Sequence, residues 1–478
     1  MTSVTLCTRT VIDGSNIHFG TSGARGLVTD FTSDVCQAFT HAFVSILRKK
    51  YPLTRIALGI DNRPSSGNIA RCCAAALQQL GIEPLFCGVL PTPALAHYSL
   101  QSGIPCIMVT GSHIPFDRNG LKFYTPEGEI GKEDETDILL SDTRFQPAEN
   151  SQQLTVCDDA AQSYLQRYLS FFDAGVLAGK KIGIYQHSSA GRDLYPRLFN
   201  ALGAEVTCLE RSDEFVPIDT EAVSVEDQQR ALKWAEIYGF DAIFSTDGDG
   251  DRPLVADELG EWLRGDILGL LCAQALDIEA LAIPVSCNSA VELSGHFERV
   301  VRTRIGSPYV IDEFNRLQEE FRTIAGFEAN GGFLLGSDVQ HEKALLHALP
   351  TRDAVLPALV VMVASSKSSV SSLVRQLPAR YTSSDRIKEF PNHISQQIVA
   401  DGVNNPQQLS DRLGFSPFTV VNVDMTDGLR LTFDNGDTLH LRPSGNAPEL
   451  RCYAESASQV NAAEYVSRAL ANIAISSF

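Results

Sequence analysis

A pattern of alternating elements recurs three times along the chain, and it constrains the fold more than any other feature. Each copy contains an apolar run, a polar turn, a helical stretch and a second apolar run. The paired runs are 55–60 with 84–87, 181–185 with 204–208, and 280–285 with 299–302. This order is typical of a βαβ unit, whose parallel strands need helices on both faces of their sheet. The copies lie too far apart for a solenoid, so we predict three similar α/β domains.

The last hundred residues follow a different pattern. Three short apolar runs are separated by dipeptides that are typical of tight hairpin turns. The runs are 418–423, 429–433 and 438–441, and the turns are Asp427-Gly428 and Asn435-Gly436. A helix follows, and the residues predicted on its buried side are Val460, Ala463, Val466, Leu470 and Ile473. These features predict a small α+β domain.

The 478 residues are enough for three or four domains of ordinary size. We predict domains at 1–150, 151–257, 258–372 and 373–478. The serine-rich segment Ser365–Ser372 is typical of a linker and equally of a polar helix end, so the third boundary stays open. The apolar run 354–364 is too short to cross a bilayer, and it predicts a core helix.

The net charge of −19 and the isoelectric point near 4.9 argue against a nucleic-acid or anionic membrane partner. A local cluster of Arg and Lys can nevertheless bind an anionic small molecule inside a cleft. The amino-terminal residues lack a basic stretch followed by an apolar one, so no secretory signal is predicted. Eleven cysteines without a CxxC pair predict buried, reduced thiols in a cytoplasmic protein.

The strongest local signal is the segment Ser245–Arg252, which follows a predicted strand. Asp247, Asp249 and Asp251 alternate with other residues in a glycine-containing loop that can turn all three carboxylates inward. Three oxygen ligands without His or Cys suit Mg²⁺ or Ca²⁺ rather than zinc. An EF-hand is disfavoured, because Arg252 stands where that loop needs Gly and a strand precedes it. An ordinary solvated acidic turn is the other alternative.

A second segment centres on Ser112 and follows the predicted buried strand 104–109. Gly111 is expected to permit unusual backbone angles beside this serine, which can act as a nucleophile or a phosphoryl carrier. Lys122 offers a cation for phosphoryl oxygens. A Ser-His-Asp triad fits poorly, because His113 is the next residue. Taken alone, the segment is also typical of a plain surface loop.

Three further segments offer groups that bind anions or hydroxyls. Glycines surround Arg25 and form a candidate anion cradle that does not match a Walker motif. A candidate phosphate cradle contains Arg442, Ser444, Gly445, Asn446 and Arg451. Glu328 lies among glycines, where its carboxylate could accept hydrogen bonds from sugar hydroxyls. Each of these segments is also common in turns that bind no ligand.

In this order, the segments resemble the α-D-phosphohexomutase family over nearly the whole chain. The family's phosphoserine loop, T-x-S-H-x-P followed by N-G-x-K, falls on Thr110–Pro115 and Asn119–Lys122. Its metal loop, D-G-D-x-D-R, falls on Asp247–Arg252. The motifs T-S-G-x-R-G, T-[KR]-x-G and R-P-S-G fall on Thr21–Gly26, Thr303–Gly306 and Arg442–Gly445.

The resemblance implies four domains around a central cleft, namely three similar α/β domains with mixed sheets and a smaller C-terminal α+β domain. In chain order, the domains would carry the phosphoserine, the metal, the sugar-recognising residues and a phosphate-binding loop. One Mg²⁺ per chain would be held by Ser112, Asp247, Asp249 and Asp251. The implied catalytic residues are Ser112, His113, Lys122 and Arg25. The implied substrate-binding residues are Arg252, Arg304, Glu328, Asn330, Arg442, Ser444, Gly445, Asn446 and Arg451.

The chain departs from the family pattern at several positions. Gly111 and Ile114 replace the usual Ala and Asn beside the serine, and Asn446-Ala447 replaces the common Thr-Glu. The sugar loop, commonly G-E-x-S-G-H, keeps Glu328 but has Asn330 and Gly332 in place of Ser and His. The missing His bears on the identity of the substrate.

The resemblance implies a phosphohexomutase of the isomerase class, which interconverts hexose 6-phosphate and hexose 1-phosphate. Mannose and glucose phosphates are the first candidates and glucosamine phosphate is the second. Ser112 would be phosphorylated, with hexose 1,6-bisphosphate as the activating intermediate. A non-catalytic sugar-phosphate-binding protein and a net phosphatase are alternatives. The expected partner is a small-molecule sugar phosphate, with neither nucleic acid nor membrane, and the chain would be a monomer or a homodimer.

Overall fold

The computed structural model describes residues 5–20, 22–149, 153–341, 344–444 and 448–475. The chain forms two compact units. The first unit contains residues 1–276 and 330–371, and the second contains residues 277–329 and 372–478. The prediction of four domains at 1–150, 151–257, 258–372 and 373–478 remains a prediction.

The strands and helices of the described residues follow in chain order. The strands are β1 (Leu6–Cys7), β2 (His18–Phe19), β3 (Ala24–Leu27), β4 (Arg55–Ile60), β5 (Glu83–Val89), β6 (Cys106–Val109), β7 (Arg118–Thr125), β8 (Gly128–Glu129), β9 (Arg144–Phe145), β10 (Lys181–His187), β11 (Glu205–Arg211), β12 (Ala242–Thr246), β13 (Pro253–Ala256), β14 (Ala280–Pro284), β15 (Arg299–Thr303), β16 (Ile324–Phe327), β17 (Phe333–Leu335), β18 (Val339–His341), β19 (Ala344–Leu346), β20 (Leu349–Asp353), β21 (Tyr381–Ile387), β22 (Val420–Asp424), β23 (Leu429–Phe433), β24 (Thr438–Pro443) and β25 (Leu450–Ser456). The helices are α1 (Thr8–Asp13), α2 (Ser33–Leu47), α3 (Ser66–Gln79), α4 (Thr92–Ser102), α5 (Lys132–Leu139), α6 (Asp159–Leu169), α7 (Tyr195–Ala201), α8 (Val225–Tyr238), α9 (Gly265–Ala275), α10 (Ala290–Leu293), α11 (Ser307–Leu317), α12 (Val355–Ala364), α13 (Val370–Val374), α14 (Asn392–Asn404), α15 (Pro406–Arg412) and α16 (Gln459–Ile475).

Local sequence sets several of these boundaries. Helix α8 begins after Ser224, whose hydroxyl accepts a hydrogen bond from the Asp227 amide, and it ends at Gly239 in the left-handed conformation. Helix α4 carries Pro93 in its first turn and ends at Gly103, which is also left-handed. These are ordinary start and stop signals, and they fix where the polar loops at the sheet edges begin.

The first sheet of unit one is mixed and has the strand order β2-β3-β7-β6-β4-β5, with β8 paired to β7. Strand β4 runs parallel to β5 and β6, whereas β7 is antiparallel to β6 and β3. Ser112 follows the carboxyl end of β6, and Asp61 follows the carboxyl end of β4. Because parallel strands end at one edge of a sheet, both residues lie at the edge where ligands usually bind.

The second sheet of unit one has the order β11-β10-β12-β13 and is also mixed. Strand β10 is parallel to β11 and β12, and β12 forms an antiparallel hairpin with β13. The hairpin loop is Asp247–Arg252. The same unit contains the antiparallel pair of β17 and β20 and the hairpin of β18 and β19.

Unit two contains the third predicted copy and the different C-terminal part. Strand β14 is parallel to β15 and to β16. The C-terminal sheet has the order β21-β25-β24-β23-β22, with every neighbouring pair antiparallel. The predicted α/β class is therefore confirmed, and so is the parallel strand pair in each of the three copies.

One prediction about packing is wrong in part, since Val466, Leu470 and Ile473 are buried as predicted but Val460 and Ala463 are not. The buried side of α16 carries Ala462, Tyr465, Val466, Ala469, Leu470 and Ile473. Val460 is 73% exposed, and Ala463 is also exposed. At 3.6 residues per turn, Val460 falls roughly opposite this stripe and Ala463 falls beside it. The predicted set includes both residues and leaves out Tyr465, whose ring packs against Phe415.

Other sequence expectations have simple outcomes. The apolar run 354–364 forms the buried helix α12, as predicted. Ser365–Lys367 continues it as a 3₁₀ turn, and the division between the two units falls between Ser371 and Ser372. None of the eleven cysteines, all of which lie in the described residues, forms a disulfide; eight are buried as predicted, whereas Cys7 and Cys157 are half-buried and Cys208 is exposed. Within the described ranges, no helix is both long and apolar enough to span a bilayer.

Candidate active site

Ser112 is buried, and its backbone is left-handed with φ of 51°. Its amide donates to Thr110 Oγ1 at 2.8 Å, which holds the turn after β6. Its hydroxyl donates to Asp247 Oδ2 at 2.7 Å. This hydrogen bond joins the serine segment to the aspartate loop, although the two residues lie 135 positions apart in the chain.

The Arg63 side chain holds the loop that contains Ser112 in place. Its guanidinium is buried and donates to the backbone carbonyl of Ser112 at 2.9 Å. It also donates to the carbonyls of Ile114, Pro115 and Arg118, so it closes the loop along its length. Four charge-assisted bonds from one planar group define the path of the loop far better than a flexible contact would.

The reason for a glycine at position 111 differs from the expected one. Gly111 does not have a positive φ, whereas Ser112 does. A Cβ atom on Gly111 would lie 2.6 Å from Cζ and Nε of Arg63. Gly111 is therefore required by the close approach of the Arg63 guanidinium, and not by its own backbone angles.

Asp61 completes the support of the loop. Its carboxylate pairs with Arg63 at 3.2 Å and accepts hydrogen bonds from Thr110 Oγ1 at 2.8 Å and from Ser66 Oγ at 2.6 Å. Burial raises the pKa of Asp61, although Arg63 opposes that shift. A buried ion pair satisfied in this way contributes to geometry more than to stability.

Asp247, Asp249 and Asp251 are all buried in the loop between β12 and β13. One carboxylate oxygen from each lies within 4.8 Å of the others. Gly250 has φ of 70°, which lets the tight loop reverse between the second and third aspartates. The predicted inward turn of the three carboxylates is confirmed.

Two cations bind the aspartates directly. Lys122 Nζ donates to Asp249 Oδ2 at 2.7 Å and to Asp251 Oδ2 at 2.8 Å. Arg352 Nε donates to the same oxygen of Asp251 at 3.0 Å. Burial would lower the pKa of Lys122, but Asp249 and Asp251 outweigh burial and raise it.

The three carboxylates are not equivalent. Burial and the two neighbouring aspartates raise the pKa of Asp247 well above its ordinary value. Burial would also raise the pKa of Asp249, but Lys122 holds it far below the usual range. For Asp251, the lowering influence of Arg352 and Lys122 exceeds the effect of burial on the pKa. The pKa of Asp247 is thus shifted in the opposite direction to the pKa values of Asp249 and Asp251.

Arg25 and Arg252 complete the cationic surroundings. Burial, Arg252 and Arg352 lower the pKa of Arg25 to about 10 against the opposing pull of Asp249 and Asp251. Arg252 Nε lies 3.9 Å from Asp247 Oδ2 and 3.6 Å from Asp251 Oδ1. The cations Arg25, Lys122, Arg252 and Arg352 outnumber the three carboxylates, so the cluster attracts a further anion.

His113 lies inside this cluster rather than in a catalytic triad. Its Nδ1 accepts from Arg252 at 2.8 Å and lies 3.4 Å from Ser112 Oγ. Arg252, burial and Arg25 lower the pKa of His113 to about 2. The ring is therefore neutral, and a Ser-His-Asp arrangement is disfavoured, because Nδ1 is already occupied by an arginine.

The donor set fits a hard divalent cation. Asp249 Oδ1 and Asp251 Oδ1 are buried and accept no hydrogen bond within the described part of the chain. Buried carboxylate oxygens without a donor are costly unless a cation satisfies them. The set contains only oxygen atoms, which suits Mg²⁺ better than a transition metal.

The remaining predicted residues are distributed over both units. In unit one, Asn330 accepts a hydrogen bond from the Gly332 amide through Oδ1 at 3.0 Å. In unit two, Glu328 is buried, and the Arg304 guanidinium lies 5.9 Å from the centre of the Tyr309 ring.

The predicted phosphate cradle lies on the C-terminal sheet of unit two. Arg442 on β24 is opposite Arg451 on β25, and Arg442 forms an ion pair with Asp427 at 2.9 Å. Arg451 lies 3.8 Å from the Glu449 carboxylate, and the Ser444 amide donates to the Glu449 carbonyl. Gly445 and Asn446 lie outside the described residues.

Several residues around the serine were not predicted from the sequence. They are Asp61, Arg63, Thr92 and Arg352. Asp61 and Arg63 belong to a polar turn at the carboxyl end of a predicted strand. Ligands usually bind at such turns, so this position is the feature of the sequence that could have indicated a role for both residues. Thr92, which donates to Asp249 Oδ2 at 2.7 Å, and Arg352 carry no local signal in the sequence.

Three family models match the chain. They describe phosphoglucomutase/phosphomannomutase α/β/α domain I over residues 16–144, α/β/α domain III over 264–381 and the C-terminal domain over 396–471. Together they span more than half of the chain.

Individual relatives agree with these models. A phosphomannomutase of Salmonella muenchen is 56% identical over 97% of each chain. A phosphomannomutase of Sinorhizobium fredii is 43% identical over 94% of this chain and 96% of the relative. A phosphoglucosamine mutase of Pelobacter propionicus is 25% identical over 90% and 96%.

A solved structure has the same fold. It is a phosphoglucomutase/phosphomannomutase family protein of Burkholderia thailandensis, with a TM-score of 0.74, 19% identity and coverage of 96% and 98% of the two chains. With the family models and the relatives, these matches identify the chain as a member of the α-D-phosphohexomutase family and as an enzyme of the isomerase class.

Proposed function

We propose that the chain interconverts mannose 6-phosphate and mannose 1-phosphate, with glucose phosphates as further substrates, by way of phosphorylated Ser112. The observation that carries this proposal is the 2.7 Å hydrogen bond from Ser112 Oγ to Asp247. It places a hydroxyl that can be phosphorylated beside three carboxylates and a surplus of cations. A protein that only bound a sugar phosphate would not need a serine in that position.

One Mg²⁺ per chain is proposed at Asp247, Asp249 and Asp251, with Ser112 as the fourth group. Such a cation would neutralise charge on phosphoryl oxygens during transfer. The protein's own cations contribute to the same end. Lys122 and Arg25 are proposed to stabilise the phosphoryl oxygens, and Arg252 fixes the neutral His113 beside the serine.

One serine is enough to complete the proposed reaction cycle. The P–O bond to Ser112 Oγ breaks as the free hydroxyl of the hexose monophosphate forms the new P–O bond, and the hydroxyl proton passes to Ser112 Oγ; the return step reverses this transfer. The resulting hexose 1,6-bisphosphate turns round and returns its other phosphoryl group to the serine oxygen. The released product carries phosphate at the opposite end, and the serine is again phosphorylated.

The substrate-binding residues that the family resemblance implies are proposed as follows. Glu328, Asn330 and Arg304 would bind ring hydroxyls. The non-reacting phosphate would be held by Arg442, Ser444, Gly445, Asn446 and Arg451. A cradle built from arginines and amides suits a ligand that must bind in two orientations, because a phosphate group looks the same from several directions.

Mannose phosphate is proposed ahead of glucosamine phosphate. The phosphomannomutases of Salmonella muenchen and Sinorhizobium fredii support this order, since both are far more similar to the chain than the phosphoglucosamine mutase of Pelobacter propionicus. A coupled assay of the purified protein with mannose 1-phosphate, glucose 1-phosphate and glucosamine 1-phosphate tests the choice. The highest kcat/KM for glucosamine 1-phosphate would overturn it.

The Ser112→Ala variant tests the role of the serine. We expect kcat for mannose 1-phosphate to fall by at least about 1,000-fold, because the variant lacks the proposed phosphoryl carrier. The circular dichroism spectrum should be unchanged, and Ser467→Ala on the exposed face of α16 serves as the control. Near-normal interconversion by Ser112→Ala would refute the scheme, and release of free phosphate at the isomerisation rate would favour a phosphatase.

A further inference from the structure

Gly332 and Arg352 are neighbours at the end of the antiparallel pair of β17 and β20, in which Phe333 is opposite Asp353. A Cβ atom on Gly332 would lie 2.6 Å from both Cγ and Cδ of Arg352. No side chain larger than hydrogen fits there while Arg352 keeps its conformation. The absence of a side chain at position 332 is therefore coupled to the path of this arginine.

The strand beneath Arg352 is firmly anchored. The next residue, Asp353, accepts hydrogen bonds from the hydroxyls of Tyr164 and Tyr168 and from the Val355 amide. All of these groups are buried. Arg352 thus begins from a fixed backbone position, and Gly332 lies against one side of its side chain, which limits the direction that the guanidinium takes.

That direction ends at Asp251. Asp251 Oδ2 accepts from Arg352 Nε at 3.0 Å and from Lys122 Nζ at 2.8 Å. Within the described residues, Asp251 Oδ1 accepts no hydrogen bond, and its ion-pair partner is Arg252 Nε at 3.6 Å. One oxygen of the carboxylate is thus doubly held, while the other is kept without a hydrogen-bond donor.

We propose that Arg352 is a positioning residue that orients Asp251 for metal binding, and that Gly332 is required because it makes room for Arg352. The inference rests on the proposed function, since it needs Asp251 to be a metal ligand. Groups that hydrogen-bond a ligating carboxylate fix the orientation of the ligand, and their loss typically lowers metal affinity by about 10- to 100-fold.

The sign of the effect separates positioning from simple charge. If Arg352 acted only as a nearby positive charge, its removal would strengthen the binding of a cation. If it positions Asp251, its removal weakens binding, because the carboxylate can rotate and present the wrong oxygen. A purely structural role would change the melting temperature and leave metal affinity at wild-type strength.

The test measures Mn²⁺ affinity of the purified full-length protein by electron paramagnetic resonance, with Mg²⁺ competition. The variants are Arg352→Ala, Arg352→Lys and Gly332→Ala. The last of these keeps Arg352 but displaces its side chain. Gly67→Ala is the control, because a Cβ atom there has no neighbour within 4 Å. We expect about 10- to 100-fold weaker binding in Arg352→Ala and Gly332→Ala, a smaller loss in Arg352→Lys and no change in the control.

Activity at increasing Mg²⁺ gives a second measurement. The Mg²⁺ concentration for half-maximal rate should rise in Arg352→Ala and Gly332→Ala, while kcat recovers at high metal. Wild-type or tighter Mn²⁺ binding in Gly332→Ala and in whichever Arg352 variants fold would overturn the inference. Failure of the wild-type protein to bind Mn²⁺ or to convert mannose 1-phosphate would instead overturn the proposed function.

Discussion

At the scale of single residues, the serine and its carboxylates are held by side chains from distant parts of the chain. Arg63 reaches the Ser112 carbonyl across 49 residues, and Arg352 reaches Asp251 across 101. Both arginines act on atoms that the chemistry itself does not use. Changes to the carboxylates and changes to their supports should therefore have different kinetic signatures.

Asp249→Asn tests the carboxylate cluster. Asp249 Oδ2 accepts from Lys122 and from Thr92, and its other oxygen accepts no hydrogen bond from the described residues. Asn removes the charge that pairs with buried Lys122 and that would bind the metal. We expect kcat to fall at least about 100-fold, equivalent to about 2.7 kcal/mol, without recovery as Mg²⁺ is raised. Full rescue by metal would contradict this role, and exposed Asp13→Asn is the control.

Arg63→Lys tests the support of the serine loop. Lysine keeps the charge beside Asp61, but a single ammonium group cannot reach the carbonyls of Ser112, Ile114, Pro115 and Arg118 together. We expect about 10- to 100-fold lower kcat with a smaller change in KM, because each lost charge-assisted bond is worth about 1.5–3 kcal/mol and part of it is recovered. Steady-state kinetics beside exposed Arg71→Lys would show this, and unchanged kcat would refute it.

These residues differ in how well they can be predicted from the sequence. The three aspartates lie in a short motif whose residue types already indicate a metal site. Ser112 is predicted through the resemblance of its loop to a family motif, because that loop taken alone is also typical of a plain surface loop. Arg63 and Arg352 take their importance from contacts that only the folded sheets create. The need for a glycine at position 111 cannot be explained from the sequence either, because the clash that a side chain there would make with Arg63 is a tertiary contact.

At the scale of elements, alternating apolar runs locate the strands of all three copies to within a few residues, because strand periodicity is a local property. Helix α16 shows where that reasoning stops. Val460 fits an apolar pattern but lies on the exposed side, and Tyr465 is buried through contacts with Phe415 and Phe418. Which face of an amphipathic helix is buried depends on the surface against which it packs.

Strand β24 makes stability depend on pH through His440. Its Nε2 lies 2.6 Å from the Asp427 carbonyl and its Nδ1 is buried without a hydrogen-bond partner within the described residues. Burial lowers the pKa of His440 from 6.5 to about 4. The neutral ring therefore stabilises the fold fully above pH 6.5, and this contribution is lost as the pH falls towards 4. The loss is on the order of 3 kcal/mol.

Urea unfolding at several pH values between 7 and 4 measures this contribution. The free energy of unfolding should fall less steeply with acidification in His440→Gln than in the wild type, because Gln carries no proton equilibrium. His393→Gln, at an exposed position of α14, should keep the wild-type slope. Equal slopes for His440→Gln and the wild type would exclude His440 as the titrating group.

At the scale of the whole molecule, the local charge around Ser112 differs in sign from the net charge of the chain. The chain carries a net charge of −19, yet the surroundings of Ser112 contain Arg25, Lys122, Arg252 and Arg352. The amino-acid composition is compatible with an anionic small-molecule ligand, but it does not show where that ligand binds. The net charge is a sum over the whole chain and does not show how a few buried charged side chains are arranged. The four-domain division, the cytoplasmic location and the monomeric or homodimeric state stay predictions.

Phosphorylation of Ser112 is the central claim, and mass spectrometry of the peptide that contains it tests that claim most directly. The purified protein is treated with mannose 1,6-bisphosphate and then chased with mannose 6-phosphate. When the bisphosphate carries heavy oxygen in its phosphoryl groups, we predict one heavy phosphoryl group on Ser112 that is replaced by a light one during the chase as heavy mannose 1-phosphate appears, while Ser112→Ala stays unmodified. Interconversion at the wild-type rate without phosphate on Ser112, or with phosphate on another residue, would contradict the account.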